Sequence, residues 1–194
     1  MMRAADADIL PYDFTILSQT LKTYDSELKA LLKSLTDDAK TRKRNLDLGL
    51  YALTNDPKNP VQPPAALPIA PEMNFSSLDK SIGELENAAA VFKKSESRWL
   101  QLSPGKRNAL NAKLSLTERR FSSDVGLPRR PWVRNLLYAP GTLTGYGAKT
   151  MPGVREALEQ MRFAEAKEQL ILIAKVVHDE AEYLEQITVE FNSQ

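Results

Sequence analysis

The stretch from Gly126 to Val154, G-L-P-R-R-P-W-V-R-N-L-L-Y-A-P-G-T-L-T-G-Y-G-A-K-T-M-P-G-V, constrains this chain more than any other part of it. Pro128, Pro131, Pro140 and Pro152 fix φ and push each preceding residue toward extended backbone, while Gly126, Gly141, Gly145, Gly147 and Gly153 permit tight reversals. Between the prolines lie Trp132, Val133, Leu136, Leu137 and Tyr138, an apolar run that a solvated linker would not carry. Residues 126–152 therefore read as a long ordered loop, packed over one end of whatever the rest of the chain builds.

The flanking sequence is helical in period. From Asp13, a plausible N-cap after Pro11, the residues Leu17, Leu21, Tyr24, Leu28, Leu31 and Leu35 fall on one stripe of a long helix. Lys40 to Arg44 then brings four basic residues in five, followed by Asn55-Asp56-Pro57 and the prolines 60, 63, 64, 68 and 71, which predict a loop at about 55–72. Helical patterns on both sides favour reading it as an insertion within a single domain, residues 1–194. A second helix is predicted from about Ser76 to Trp99, capped by Ser76 or Ser77. A third starts at Ser103-Pro104 and runs through Leu110, Leu114, Thr117 and Phe121. Pro152 reopens the helical region, and Phe163 to Phe191 carries the most regular pattern. No segment alternates as a strand. The expected architecture is all-α: a four-helix bundle with long Pro/Gly-rich crossover loops.

Composition narrows the function classes. The 194 residues carry 26 Lys plus Arg against 25 Asp plus Glu, a net charge of +1, which draws neither nucleic acid nor an acidic membrane. With no cysteine there is no disulfide framework, no thiol nucleophile and no Cys-built zinc site. The N-terminus lacks the apolar centre of a signal peptide, and Ile171 to Val177, the longest apolar run, is interrupted by Lys175, so no direct membrane insertion is expected.

Catalytic chemistry fails on inventory. His178 is the one histidine, too few for a helical metal centre and remote in sequence from Ser122 and Ser123, which also lack a glycine-flanked elbow. Gly141, Gly145 and Gly147 match no phosphate-binding pattern and read as turn glycines. The run Lys40, Arg42, Lys43, Arg44, flanked by acids at 37, 38 and 47, reads as a solvated helix end. Arg130 and Arg134 are candidates for internal bidentate pairs that anchor the loop, together with Trp132 and Tyr138. Asn74-Phe75-Ser76 is a formal N-glycosylation sequon, relevant where the chain enters a secretory pathway.

Several separated motifs resemble one family in order. Gly126-Leu127-Pro128-Arg129-Arg130-Pro131-Trp132-Val133-Arg134, then Tyr138-Ala139-Pro140, Tyr146 and Met151-Pro152-Gly153 resemble the loop before the last helix in the C-terminal helical domain shared by glutamate carboxypeptidase II-like zinc peptidases and the transferrin receptor. Leu10-Pro11-Tyr12-Asp13 is similar to the family's opening of the same domain. The resemblance is strong from Glu118 to Glu182 and weak between Thr36 and Pro71.

That resemblance implies a non-catalytic dimerisation domain at the C-terminal end of a larger, membrane-anchored protein with a lumenal, vacuolar or extracellular ectodomain, so that Met1 would not be the natural start. The implied partners are a second copy of the chain and an upstream peptidase-like domain that would hold any zinc; no cofactor is expected in this piece. In glutamate-specific members the corresponding turn carries a Lys-Tyr pair that reaches the neighbouring domain's substrate carboxylates. Here the tyrosine is Tyr146 but the lysine position is Gly145, which implies little preference for a C-terminal glutamate. Tyr146 either donates to a substrate carboxylate or only packs the loop. The rival readings are an independent helical adaptor that binds partner helices, and a helical hydrolase using Tyr146 and nearby acids.

Overall fold

The computed structural model describes residues 7–193 apart from residues 54, 57 and 146. These are mostly helical: Phe14–Asp47 (α1), Leu50–Leu53 (α2), Ser76–Trp99 (α3), Pro104–Leu114 (α4), Thr117–Arg120 (α5), Pro152–Glu159 (α6) and Phe163–Asn192 (α7). The strands Tyr138–Pro140 (β1) and Ala148–Thr150 (β2) form one small antiparallel hairpin, with Ala139 opposite Lys149.

Helix α1 begins where Asp13 Oδ1 accepts from the Thr15 amide at 3.0 Å, which satisfies an otherwise orphaned donor. It stops at Gly49, ahead of the expected loop, where a φ of 65° lets the Gly49 amide turn back to the Leu46 carbonyl. The basic run 40–44 lies in the last turns of this helix and is largely exposed, with Lys43 paired to Asp47 one turn on. Helix α3 has the predicted bounds, but its cap is different. The Asn74 side chain, not a serine, accepts from the Ser76 amide at 2.8 Å.

Ion pairs fix the packing directions. Lys22 and Lys29 of α1 meet Glu86 and Asp79 of α3, so ascending positions face descending ones and the helices are antiparallel. His178 and Asn192 of α7 meet Glu84 and Ser95 of α3, which makes that pair parallel. Along this central helix Phe14, Phe92 and Trp99 stack edge to face at 5.0 and 4.9 Å, the arrangement that places ring edges on negative ring faces. Leu21, Leu28, Leu78, Leu85, Val177, Leu184 and Ile187 continue one core from end to end.

The expected fourth long helix is corrected. The predicted third helix breaks after Leu114, where the Ser115 and Thr117 hydroxyls take the carbonyls of Ala112 and Leu114 and the chain tightens into three-residue turns. Helix α4 instead lies along the C-terminal half of α7, through Lys113–Glu190 and the Tyr183 hydroxyl, while α6 packs against its N-terminal half. A left-handed Met161 (φ 56°) ends α6, with the Arg162 amide on the Ala157 carbonyl and the Met161 amide on that of Leu158. The hairpin is the other departure. Three-residue strands are too short for alternation to show.

Candidate functional site

The long loop is organised by its own backbone before it touches any helix. Gly126, at φ 71°, reverses the chain, and the amides of Leu127, Arg130 and Val133 bond the carbonyls of Val133, Leu127 and Arg130 at 2.9 Å each. Ser123 and Leu136 tie the two ends to Arg134 and Phe121. Asn135 Oδ1 then receives the amides of Leu137 and Tyr138, which aims the chain into β1.

The apolar residues divide. Leu127, Leu136, Leu137 and Ala139 are buried in the core and Val133 is half-buried. Trp132 is 74% exposed and Tyr138 also faces outward, so neither anchors the loop. Among the arginines, Arg130 holds the loop from inside: it donates to Glu156 Oε2 at 2.8 Å and to the Pro140 carbonyl. Among the described residues Arg134 pairs with the fully exposed Asp124 at 3.5 Å, a pair worth little in water. Arg129, read from sequence as one of a solvated basic pair and not as an anchor, makes the bidentate contact, two bonds of 2.7 Å to Glu165. That pair holds the Glu165 carboxyl below its usual range, through the hydrogen bonds to Arg129.

At the far end of the loop the hairpin closes through Gly141 N–H to the Gly147 carbonyl at 3.0 Å. Its tip, Thr142 to Gly145, is exposed, and Gly145 sits at φ 60° with open space where a side chain would begin. Tyr146 lies outside the described residues. The described cations beside this turn already have partners: Lys149 with Glu159 and Arg155 with Glu27, each at 2.6 Å. His178, on another face, bonds Glu84 at 2.7 Å, and this carboxylate raises the imidazole's pKa. Among the described residues no three His, Asp or Glu side chains gather as metal ligands, and no helix is long and apolar enough to cross a membrane. Asn74 is exposed.

Residues 73–185, from the start of α3 through most of α7 and including the whole loop, match the transferrin receptor-like dimerisation domain family. The chain belongs to that family. Transferrin receptor-like dimerisation domains are thus the frame for the hairpin and its supports. Over 164 residues, 83% of this chain, it is 26% identical to an Arabidopsis thaliana protein named "Probable glutamate carboxypeptidase LAMP1". It is 54% identical over 41 residues, 21% of this chain, to a "Probable glutamate carboxypeptidase" of Arthroderma benhamiae. Over 137 residues, 57% of this chain, it is 28% identical to a Saccharomyces cerevisiae protein named "Putative zinc metalloprotease TRE2". The chain spans 18%, 6% and 16% of the lengths of these three relatives, so it corresponds to a small part of each.

Proposed function

We propose that this chain is the subunit-pairing domain of a glutamate carboxypeptidase-like zinc peptidase, that two copies associate as a homodimer, and that the 141–147 turn forms part of the rim of the upstream domain's substrate site. The observation that carries this reading is the hairpin: an exposed turn without apolar anchorage, held from below by the Glu156 carboxylate, on a chain whose relatives are several times longer. The outward-facing Trp132 and Tyr138 support it, since exposed aromatics on an ordered loop are the usual material of a protein contact. The described residues do not fit a zinc site, so the metal's ligands belong to the rest of the parent chain.

On this reading the Tyr146 hydroxyl donates to a substrate carboxylate. Gly145 supplies no cation, and the nearby Lys149 and Arg155 are held by Glu159 and Glu27, so glutamate-terminated peptides gain little over others. Two measurements test the proposal. Light scattering after size exclusion should give twice the chain mass at tens of micromolar; a monomer at every concentration overturns pairing by this domain alone. In the intact parent, Tyr146→Phe should raise KM for carboxylate-terminated peptides by the loss of one hydrogen bond, about 0.5–1.5 kcal/mol. Unchanged kinetics would remove the turn from the substrate.

A further inference from the structure

We propose that Glu156 is the positioning residue of the rim turn: its buried carboxylate receives Thr142 directly and Pro140 through Arg130, and so transfers the frame of α6 to the β1 side of an exposed turn that nothing apolar holds. This rests on the reading that the 141–147 turn meets substrate. Helix α6 is itself packed into the core, with Val154, Ala157 and Leu158 all buried on either side of Glu156. From there Oε1 accepts from the Thr142 amide at 2.8 Å, while Oε2 accepts from the Thr142 hydroxyl at 3.0 Å and from Arg130 Nη2 at 2.8 Å. Arg130 in turn donates Nη1 to the Pro140 carbonyl. One carboxylate and one guanidinium thus grip residues 140 and 142, on both sides of Gly141, where the turn begins.

The chemistry demands a carboxylate. Three donors converge on one group, and an ionised acid is acceptor-only, with two oxygens to receive them. Glutamine would turn an N–H₂ toward either the Thr142 amide or the Arg130 guanidinium. Arg130 is also committed to the site, since its Nε is buried without a partner and its charge has few other places to go. Beyond the grip, Leu143 and its neighbours stand in water, so a small loosening at Thr142 is magnified at Gly145.

Amide hydrogen exchange on this chain, with kinetics in the intact parent, tests the proposal. Glu156→Gln should speed exchange of the Thr142 and Gly147 amides about tenfold beyond any change in α7, because local opening is separable from global unfolding. Thr142→Val, which removes only the hydroxyl contact and leaves the core untouched, should give a smaller effect in the same place. Equal acceleration in α7 and the hairpin would overturn the proposal, leaving Glu156 as a support of the fold alone. In the parent, Glu156→Gln should raise KM about fivefold with kcat within about twofold, and Glu156→Asp, which keeps the charge, should recover part of the loss. If Tyr146→Phe raises KM and Glu156→Gln does not, positioning by Glu156 fails while the rim reading stands. If neither variant moves KM although the hairpin amides exchange faster, the rim reading itself fails.

Discussion

Arg120 Nε donates to Glu180 Oε2 across 2.8 Å, an ion pair in which a fully buried carboxylate of α7 meets the short helix that leads into the long loop. The guanidinium also lies over the Tyr183 ring, 4.1 Å from its centroid, and donates to the Asp179 carbonyl. Glu180 Oε1 has no partner. Burial outweighs the arginine and pushes the Glu180 carboxyl up to about 7.

The pH dependence of stability follows from that pair. Because the folded-state value lies above the unfolded one, the native chain binds the extra proton between them. The contribution is full below the unfolded value of about 4.3 and is lost as pH rises through about 7, a change on the order of 3–4 kcal/mol. His178, raised by Glu84, acts in the same direction as pH rises, whereas Glu84 and Glu165, both lowered, lose their contributions on the acid side. Thermal melts should therefore show a higher Tm near pH 5.5 than at pH 8. Glu180→Gln should flatten most of this slope, and an unaltered slope in that variant would refute the assignment.

Two glycines of the loop should respond differently to alanine. Both have left-handed backbone, which disfavours any side chain by roughly 1–2 kcal/mol. At Gly126 a Cβ would also stand 2.2 Å from the Pro131 carbonyl oxygen, whereas at Gly145 it meets nothing within 4 Å. Denaturant titration should show Gly145→Ala losing no more than the backbone term and Gly126→Ala losing clearly more. Equal losses would mean that the loop relaxes around residue 126. The same open space makes Gly145→Lys tolerable, and in the parent that variant should favour glutamate-terminated peptides selectively.

The indole of Trp99 is fully buried, and its N–H donates to Asn192 Oδ1 at 3.1 Å, while Asn192 Nδ2 donates to the Ser95 hydroxyl. Asn192→Ala leaves the Trp99 donor without a partner and should destabilise the chain by about 1–3 kcal/mol. Trp99→Phe in the same background should add less than it does alone, because the stranded donor is gone. Strict additivity in this double-mutant cycle would show that the bond contributes nothing.

Periodicity made much of the fold legible. Leu78, Ile82, Leu85, Ala89 and Phe92 define the buried face of α3, and its observed bounds, Ser76 and Trp99, are those the pattern predicts. Residues 126–152 were legible as a loop because prolines restrict the backbone locally and glycines permit reversals between them. The family was legible for the same reason: its motifs are runs of such residues. The break after Leu114 was not, since Ser115 and Thr117 are tolerable in a helix and only the choice of carbonyl acceptor separates the outcomes.

Residue type and spacing by themselves determined the helical class, the major helical stripes and the place of the ordered loop, because backbone restriction and apolar period act over a few neighbouring residues. Tertiary structure decided which side chains of that loop bear the load. Arg130 and Arg134 are alike in sequence, but only Arg130 finds a buried acid, Glu156, on a helix 26 positions away; Arg134 faces water. Trp132 reads as an anchor by its hydrophobicity, yet the turn built on Gly126 points it outward. A charge or a ring acquires its energetic role from desolvation and from partners distant along the chain, and neither is encoded in local spacing.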